Sequence, residues 1–305
     1  FVPSMLVPLL SLRRPYDDFL LLHLSLLAGM SFIAVVSRMP RVHVQGPRLS
    51  KGGFTFLLLM GAALMYAALV TSMGVRLIPP TWEEITDVRM AQRVAAESAG
   101  IGVYTVSWLA MVVNPCLIVL GVLNRRKGLL FLGVLGQFFM FAQGGQKSML
   151  LILPLIWGVD LVTQRTGRGF GISVIGAMCF VLVGCITVDQ VTGNSFATSL
   201  LVRRAVITPG LLTGFYFDFF STHSLALYAH SFLRAFIDNP YASSPPFVIG
   251  LQYFGDPDTS ANANIWADAY ANLGHIGIII HSAVLGGILW GIDCLARRFG
   301  SRAAT

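Results

Sequence analysis

Charge is what this chain has least of. Only 11% of its 305 residues are Asp, Glu, Lys or Arg, where a water-facing domain carries about 25%, and so little charge excludes an ordinary soluble globule. Acids are scarcer than bases, 14 against 21, for a formal net charge of +7. That excess is no nucleic-acid footprint, because the bases sit in short clusters between apolar runs and no basic face is interleaved with aromatics. Cysteine is rare too. Cys116, Cys179, Cys185 and Cys294 lie in or at the ends of apolar segments, with no CxxC pair and no His at ligand spacing. They read as small hydrophobes, not as a disulfide frame or a metal site. HExxH and GxSxG are both absent. Gly144-Gly145-Gln146-Lys147-Ser148 lacks the Gly-x-x-x-x-Gly-Lys spacing of a phosphate loop and a strand before it. No metal and no cofactor are expected.

Apolar residues are what the chain has in abundance: 55% are hydrophobic and the mean hydropathy is +0.72. A run of roughly 17–25 apolar residues spans a bilayer, where only a helix satisfies its own backbone. Seven such runs are readable, at about 19–36, 53–74, 101–123, 128–143, 149–163, 170–189 and 275–293. The fourth and fifth are short and separated only by 144–148, which makes them a tight hairpin or a partly re-entrant pair. Residues 1–12 are apolar and read as the remainder of a preceding helix. They carry no basic n-region or cleavage site of a secretory signal.

Alternate connections fix an orientation. One set holds Arg38, Arg41, Arg48 and Lys51, then Arg125, Arg126 and Lys127, then Arg165 and Arg168, then Arg297, Arg298 and Arg302. These segments are short, lack acids, and belong in the cytoplasm by the positive-inside rule. The other set is external: 76–99, 144–148 and the long 190–274 stretch. The N-terminal segment falls outside as well, its Arg13-Arg14 balanced by Asp17-Asp18. The expected architecture is therefore all-α, a polytopic transmembrane helical bundle with a large extracytoplasmic loop containing re-entrant or amphipathic helices. Residues 1–190 form transmembrane helices, 191–274 the loop, and 275–305 the last span and a basic tail. In the smaller external segment, Pro79-Pro80-Thr81-Trp82-Glu83-Glu84 reads as a capped helix start. Its continuation through Asp87, Arg89, Arg93 and Glu97 reads as an amphipathic surface helix. In the larger one, Pro209 and Gly210 interrupt an aromatic-rich run over 205–233, the pattern of a broken helix pair lining a cavity.

Three constellations in that loop can carry chemistry. Arg203-Arg204 suits phosphate or diphosphate, since guanidinium binds such oxygens bidentately and stays charged when half-buried; it equally suits headgroup snorkelling. In Phe215-Tyr216-Phe217-Asp218-Phe219-Phe220-Ser221-Thr222-His223, aromatic faces suit sugar rings, and Asp218 or His223 suits a general base. An interfacial aromatic belt has the same composition. In 261–274, Asn264, Asp268 and Asn272 fall four apart on one helical face, with Trp266 and Tyr270 on another; a capped, water-facing helix entry fits as well. Lys147 suits an anionic headgroup or a solvated turn. Asp256-Pro257-Asp258 has the DxD form of metal-dependent transferases, but Gly-Asp-Pro-Asp is also a common turn.

Taken together, Arg203-Arg204 leading to Pro209, Tyr216-Phe217-Asp218-Phe219-Phe220-Ser221, Ala261-Asn262-Ala263-Asn264 and Trp266-Ala267-Asp268-Ala269-Tyr270-Ala271-Asn272-Leu273-Gly274 resemble the oligosaccharide repeat unit polymerase family (O-antigen polymerase, Wzy-type). Arg203 and Gly214 reproduce an Arg-x10-Gly spacing of its periplasmic loops. The likeness covers roughly 144–290. It implies a metal-independent, GT-C-like membrane glycosyltransferase in the bacterial cytoplasmic membrane that polymerises undecaprenyl-diphosphate-linked oligosaccharide. A ligase or a lipid-linked oligosaccharide flippase is the alternative. It also implies partners of the same pathway, a flippase and a chain-length regulator. By the resemblance, Arg203, Arg204 and Lys147 would hold diphosphate, and Asp218, His223 or Asp268 would be the base. Tyr216, Asn262, Asn264, Trp266, Tyr270 and Asn272 would contact sugar.

Overall fold

The computed structural model describes residues 2–12, 14–42, 50–81, 83–85, 87–88, 90–91, 102–166, 170–231, 233–234 and 236–296. Expectations for Trp82, Arg89, Arg93 and Glu97 fall outside these residues, as do those for Arg13, Arg48, Arg168, Arg297, Arg298 and Arg302. The described residues are helical, with no strand among them. We label the helices α1 (Val2–Ser11), α2 (Tyr16–Ser37), α3 (Lys51–Met73), α4 (102–123), α5 (Lys127–Gly144), α6 (Lys147–Thr166), α7 (Phe170–Thr192), α8 (198–220), α9 (Pro245–Phe254) and α10 (Ile265–Ala296).

All seven apolar runs are helices, and six helices among the described residues are long and apolar enough to cross a membrane. α7 is the plainest case. Its most apolar stretch has a mean hydropathy of 2.4, and none of it is buried within the protein. Such a helix has no place in water and an ordinary one in hydrocarbon, where apolar side chains need no protein partner. In α6 the apolar part is shorter, Met149–Thr163. Gly145, at φ +60°, terminates α5 by donating its N–H to Phe141 O, and α6 starts two residues later. The stretch 144–148 is therefore the turn of a helical hairpin.

Packing groups the chain into two units that differ from the sequence blocks: Phe1–Val44 with Ile175–Ala304, and Gln45–Val174. In the second unit, α4 holds a turn of π-helix, Leu109–Val113, just before Asn114-Pro115. Asn114 N–H donates to Leu109 O, five residues back. Pro115 has no N–H to continue that register, so Ala110 O loses its helical donor. Gln137 of α5 replaces it. Its Nε2 donates to Ala110 O at 3.0 Å and to Met149 O at 3.1 Å, while its Oε1 accepts from Asn114 Nδ2 at 3.3 Å. Asn114 Oδ1 in turn accepts from the Tyr66 hydroxyl at 2.9 Å. Both amide side chains are fully buried. Gln137→Leu strands an amide donor and a carbonyl in this interior, and the expected loss is about 2–3 kcal/mol. Tyr66→Phe removes only the end of the chain and should cost under about 1 kcal/mol. Denaturant titration in micelles reads both; a Gln137→Leu protein as stable as the parent contradicts the arrangement.

In the same unit, Gln143 ties the exit of α3, accepting from Arg76 N and donating to Gly74 O. The Glu84 carboxylate accepts from Thr81 N and pairs with Arg76. That is the cap expected at Thr81, and Ile85 and Val88 behind it are buried.

In the first unit, α2 lies along α10, with Leu22 and Leu26 in one core with Ile278. α1 lies against α8, close enough that a Cβ at Gly210 would fall 2.4 Å from Pro3 O. Arg41 pairs with Asp293 at 2.8 Å, and Trp290 Nε1 donates to Pro40 O. The C-terminal ends of α2 and α10 thus lie together, while the start of α2 lies by the end of α8 through Arg14 and Asp218. Segments that alternate charge assigns to one side are neighbours at both ends of this unit.

Candidate functional site

α8 begins as π-helix, Thr198–Ile207, and continues as α-helix, Thr208–Phe220. Thr208 N–H donates to Arg203 O, five residues back, and Pro209 follows. This is the arrangement seen before Pro115. The wider π-turn makes room for the proline ring, and the helix passes through Pro209-Gly210 unbroken. The break expected at Pro209-Gly210 therefore falls at Ser221 instead. Two hydrogen bonds from Ala197 N and Thr198 N to the Asp189 carboxylate cap the start of this segment.

Arg203 and Arg204 are exposed and line a cavity of about 530 Å³ with Ser199 and Thr208. Two guanidinium groups, which only donate, and two hydroxyls, which can donate, suit the oxygens of a phosphate. Lys147 starts α6, and its side chain falls outside the described residues.

At the far end of α8, Asp218 is claimed on both oxygens. Arg14 pairs with Oδ1 at 2.5 Å, and the Tyr253 hydroxyl donates to Oδ2 at 2.5 Å. Arg14 also donates to Ser221 Oγ and to Asp218 O, and Phe215 stacks flat on Tyr253 at 4.2 Å. Burial pushes the Tyr253 phenol well above its ordinary value; the bond to Asp218 and its negative charge add to this, against the opposing charge of Arg14. Tyr253 is therefore a lasting donor, and Asp218 joins α8, α9 and the α1–α2 link. Each carboxylate oxygen already has a partner, so as the expected base Asp218 would have to act from within this tie. His223 is exposed, stacked on Phe219 at 4.1 Å, and donates from Nδ1 to Phe219 O. It closes the C-terminus of α8.

α10 is two arms around Gly274, whose backbone (φ 62°, ψ −148°) lies in a region open essentially to glycine. The fold-back is sharp. A Cβ at Gly277 would sit 2.2 Å from Ala269 O, and Trp266 Nε1 reaches Ser282 Oγ at 3.1 Å. Carbonyls freed at the bend take donors from the loop after α8, Ala226 N to Ala271 O and Leu227 N to Asn272 O. The Asn272 side chain completes the clasp, accepting from Tyr228 N and donating to Asp268 O. Leu227 and Tyr228 are held at φ +49° and +56°, a left-handed strain that this clasp sustains.

The clasp gathers a second cluster. The Tyr228 hydroxyl and His281 Nε2 are 2.8 Å apart, and Asp268, half-buried, feels the charge of both His281 and His230. Burial raises the Tyr228 phenol above its ordinary value and the charge of Asp268 adds to it. Nδ1 of His230 and Nδ1 of His281 are buried without a hydrogen-bond partner among the described residues. Of the three expected bases, Asp268 alone is brought to imidazoles.

Most expected sugar contacts are engaged within the fold. Tyr216 is fully buried and donates to Ala261 O at 3.0 Å, so its ring faces the core. Tyr270 is buried against Phe217 and His275. Asn264 caps α10, accepting from Trp266 N and Ala267 N, and its Nδ2 reaches Thr213 Oγ1 at 2.7 Å and Pro209 O at 3.4 Å. Asn272 is buried in the clasp, and Trp266 is tied to Ser282. Asn262 alone is exposed. Asp256 accepts from Thr259 Oγ1 and Asp258 N, which holds its carboxyl below the usual range and makes the DxD stretch a turn. No group of three His, Cys, Asp or Glu among the described residues is placed to hold a metal.

These features define an all-helical, multi-pass membrane protein. No family model, no curated protein and no solved structure matches the chain.

Proposed function

We propose that the chain is a membrane glycosyltransferase that polymerises undecaprenyl-diphosphate-linked oligosaccharide units on the outer face of the bacterial cytoplasmic membrane. The observation that carries this reading is the cavity lined by Arg203, Arg204, Ser199 and Thr208. It is cationic, rich in donors, and set in the segment that the positive-inside rule assigns to the external side. A lipid diphosphate needs such a group both to be held and to take up charge as it leaves. The hydrogen bond from Asn264 to Pro209 O supports placing the first arm of α10, with Asp268, beside that cavity.

Purified protein in nanodiscs, given one lipid-linked repeat unit and no other acceptor, should yield a ladder of glycans. Product formed only when a second acceptor is added would make it a ligase. Translocation without any new glycosidic bond would make it a transporter.

A further inference from the structure

The loop after α8 walls a second cavity, of about 340 Å³, lined by His230, Arg234, Asp238, Asn239, Ala242 and Ser243 among others. Its wall mixes hydrogen-bond donors and acceptors, which suits the hydroxyls of a saccharide where the arginine cavity suits an anion. His230 belongs to this wall and, with His281, acts electrostatically on half-buried Asp268, while His281 meets the Tyr228 hydroxyl. Two imidazole nitrogens buried without partners are costly, and proton acceptance gives their rings a use. One short stretch of helix, the first arm of α10, touches the segments that line both cavities. Asn264 touches Pro209, next to the cavity-lining Thr208, and Asn272 clasps the loop that carries His230. Eight residues of helix separate these points by about 12 Å.

We propose that this second cavity seats the acceptor saccharide, with His230 as its general base and Asp268, His281 and Tyr228 as the groups that hold and stabilise the transferred proton. The inference rests on the glycosyltransferase reading and names where its acceptor binds. In the step, the acceptor hydroxyl oxygen forms the new bond to the anomeric carbon of the donor. The anomeric C–O bond to the lipid diphosphate breaks, and its electron pair leaves on the diphosphate held by Arg203 and Arg204. The hydroxyl proton passes to the His230 imidazole, whose charge Asp268 balances. Tyr228 fixes the His281 ring from its Nε2 side.

Two measurements separate failure of this inference from failure of the glycosyltransferase reading. With undecaprenyl-diphosphate-linked oligosaccharide, His230→Gln and Asp268→Asn should each lower kcat about 100-fold or more and leave KM for the lipid-linked donor unchanged. Ala242→Trp, which fills the cavity, should stop transfer while binding of undecaprenyl diphosphate persists. Transfer within twofold of wild type in His230→Gln overturns the base assignment, and full activity in Ala242→Trp overturns the acceptor site. Independently of activity, Asp268→Asn should move the imidazole 15N signals of His230 and His281 in labelled protein. Unmoved signals overturn the relay even in a protein that polymerises. Moved signals in a wild type that makes no glycosidic bond sink the glycosyltransferase reading and leave the proton-sharing cluster standing.

Discussion

Replacing either Arg203 or Arg204 by alanine is expected to lower polymer formation by about 10²–10³-fold, the effect of removing one preorganised donor from a developing anion. Both side chains are exposed on the cavity wall and neither takes part in the buried cores, so insertion and thermal stability should stay those of the parent. Lysine at either position should recover only part of the activity. It keeps the charge but loses the planar fork that engages two oxygens at once. Chain lengths and yields on gels, set against melting curves of the same preparations, give the comparison. Wild-type polymer from both alanine variants would remove the diphosphate assignment.

A comparably large loss is expected from one methyl group at the bend of α10. Gly277→Ala places a Cβ where Ala269 O already lies, 2.2 Å away. Backbone stands against it, with no flexible side chain to yield, so the two arms must part. Gly274→Ala meets no such clash, its nearest neighbour being Leu225 at 3.7 Å. It is strained by backbone conformation alone, about 1–3 kcal/mol. Both variants loosen the clasp that brings Asp268 to His230 and His281, and both should lose transfer activity and melt earlier, Gly277→Ala the more severely. Gly287→Ala, further along the same helix with nothing within 4 Å, is the control and should match the parent. Equal behaviour of all three would mean that the bend does not organise the site.

The bend also explains what was legible in the sequence and what was not. The spans were legible because hydropathy in a bilayer is a local property of each segment, and the alternation of basic connections follows from the same local reading. The arginine pair was legible because, unlike Arg13-Arg14, it has no acid within several residues in the external segment. The partners of Asp268 were hidden. Asp268 and His281 are thirteen residues apart, which on a straight helix means about 20 Å and nearly opposite faces; only the fold-back at Gly274 joins them. Gly274 and Gly277 were visible as letters, but no spacing rule makes two glycines a reversal. Arg14 was set aside because Asp17 and Asp18 stand beside it, yet its ion pair is with Asp218, over two hundred residues away. Tyr253 carried no local signal at all. Polar and aromatic residues in a sugar-like pattern also serve buried hydrogen bonds, as Tyr216 does to Ala261 O and Asn272 does from Tyr228 N, and a sequence pattern does not separate the two. Pro209 misled because a π-turn absorbs a proline that an α-helix would not.

The central claim is that Arg203 and Arg204 grip a lipid diphosphate. Binding of undecaprenyl diphosphate, without sugar, to the purified protein in nanodiscs addresses it without needing the glycan or the reaction. Native mass spectrometry across a lipid titration should show saturable binding to the parent, weakened at least tenfold by Arg203→Ala and again by Arg204→Ala, and relieved by added salt. Undecaprenyl monophosphate should bind more weakly than the diphosphate. Equal affinity of the parent and the double alanine variant for undecaprenyl diphosphate would contradict the account.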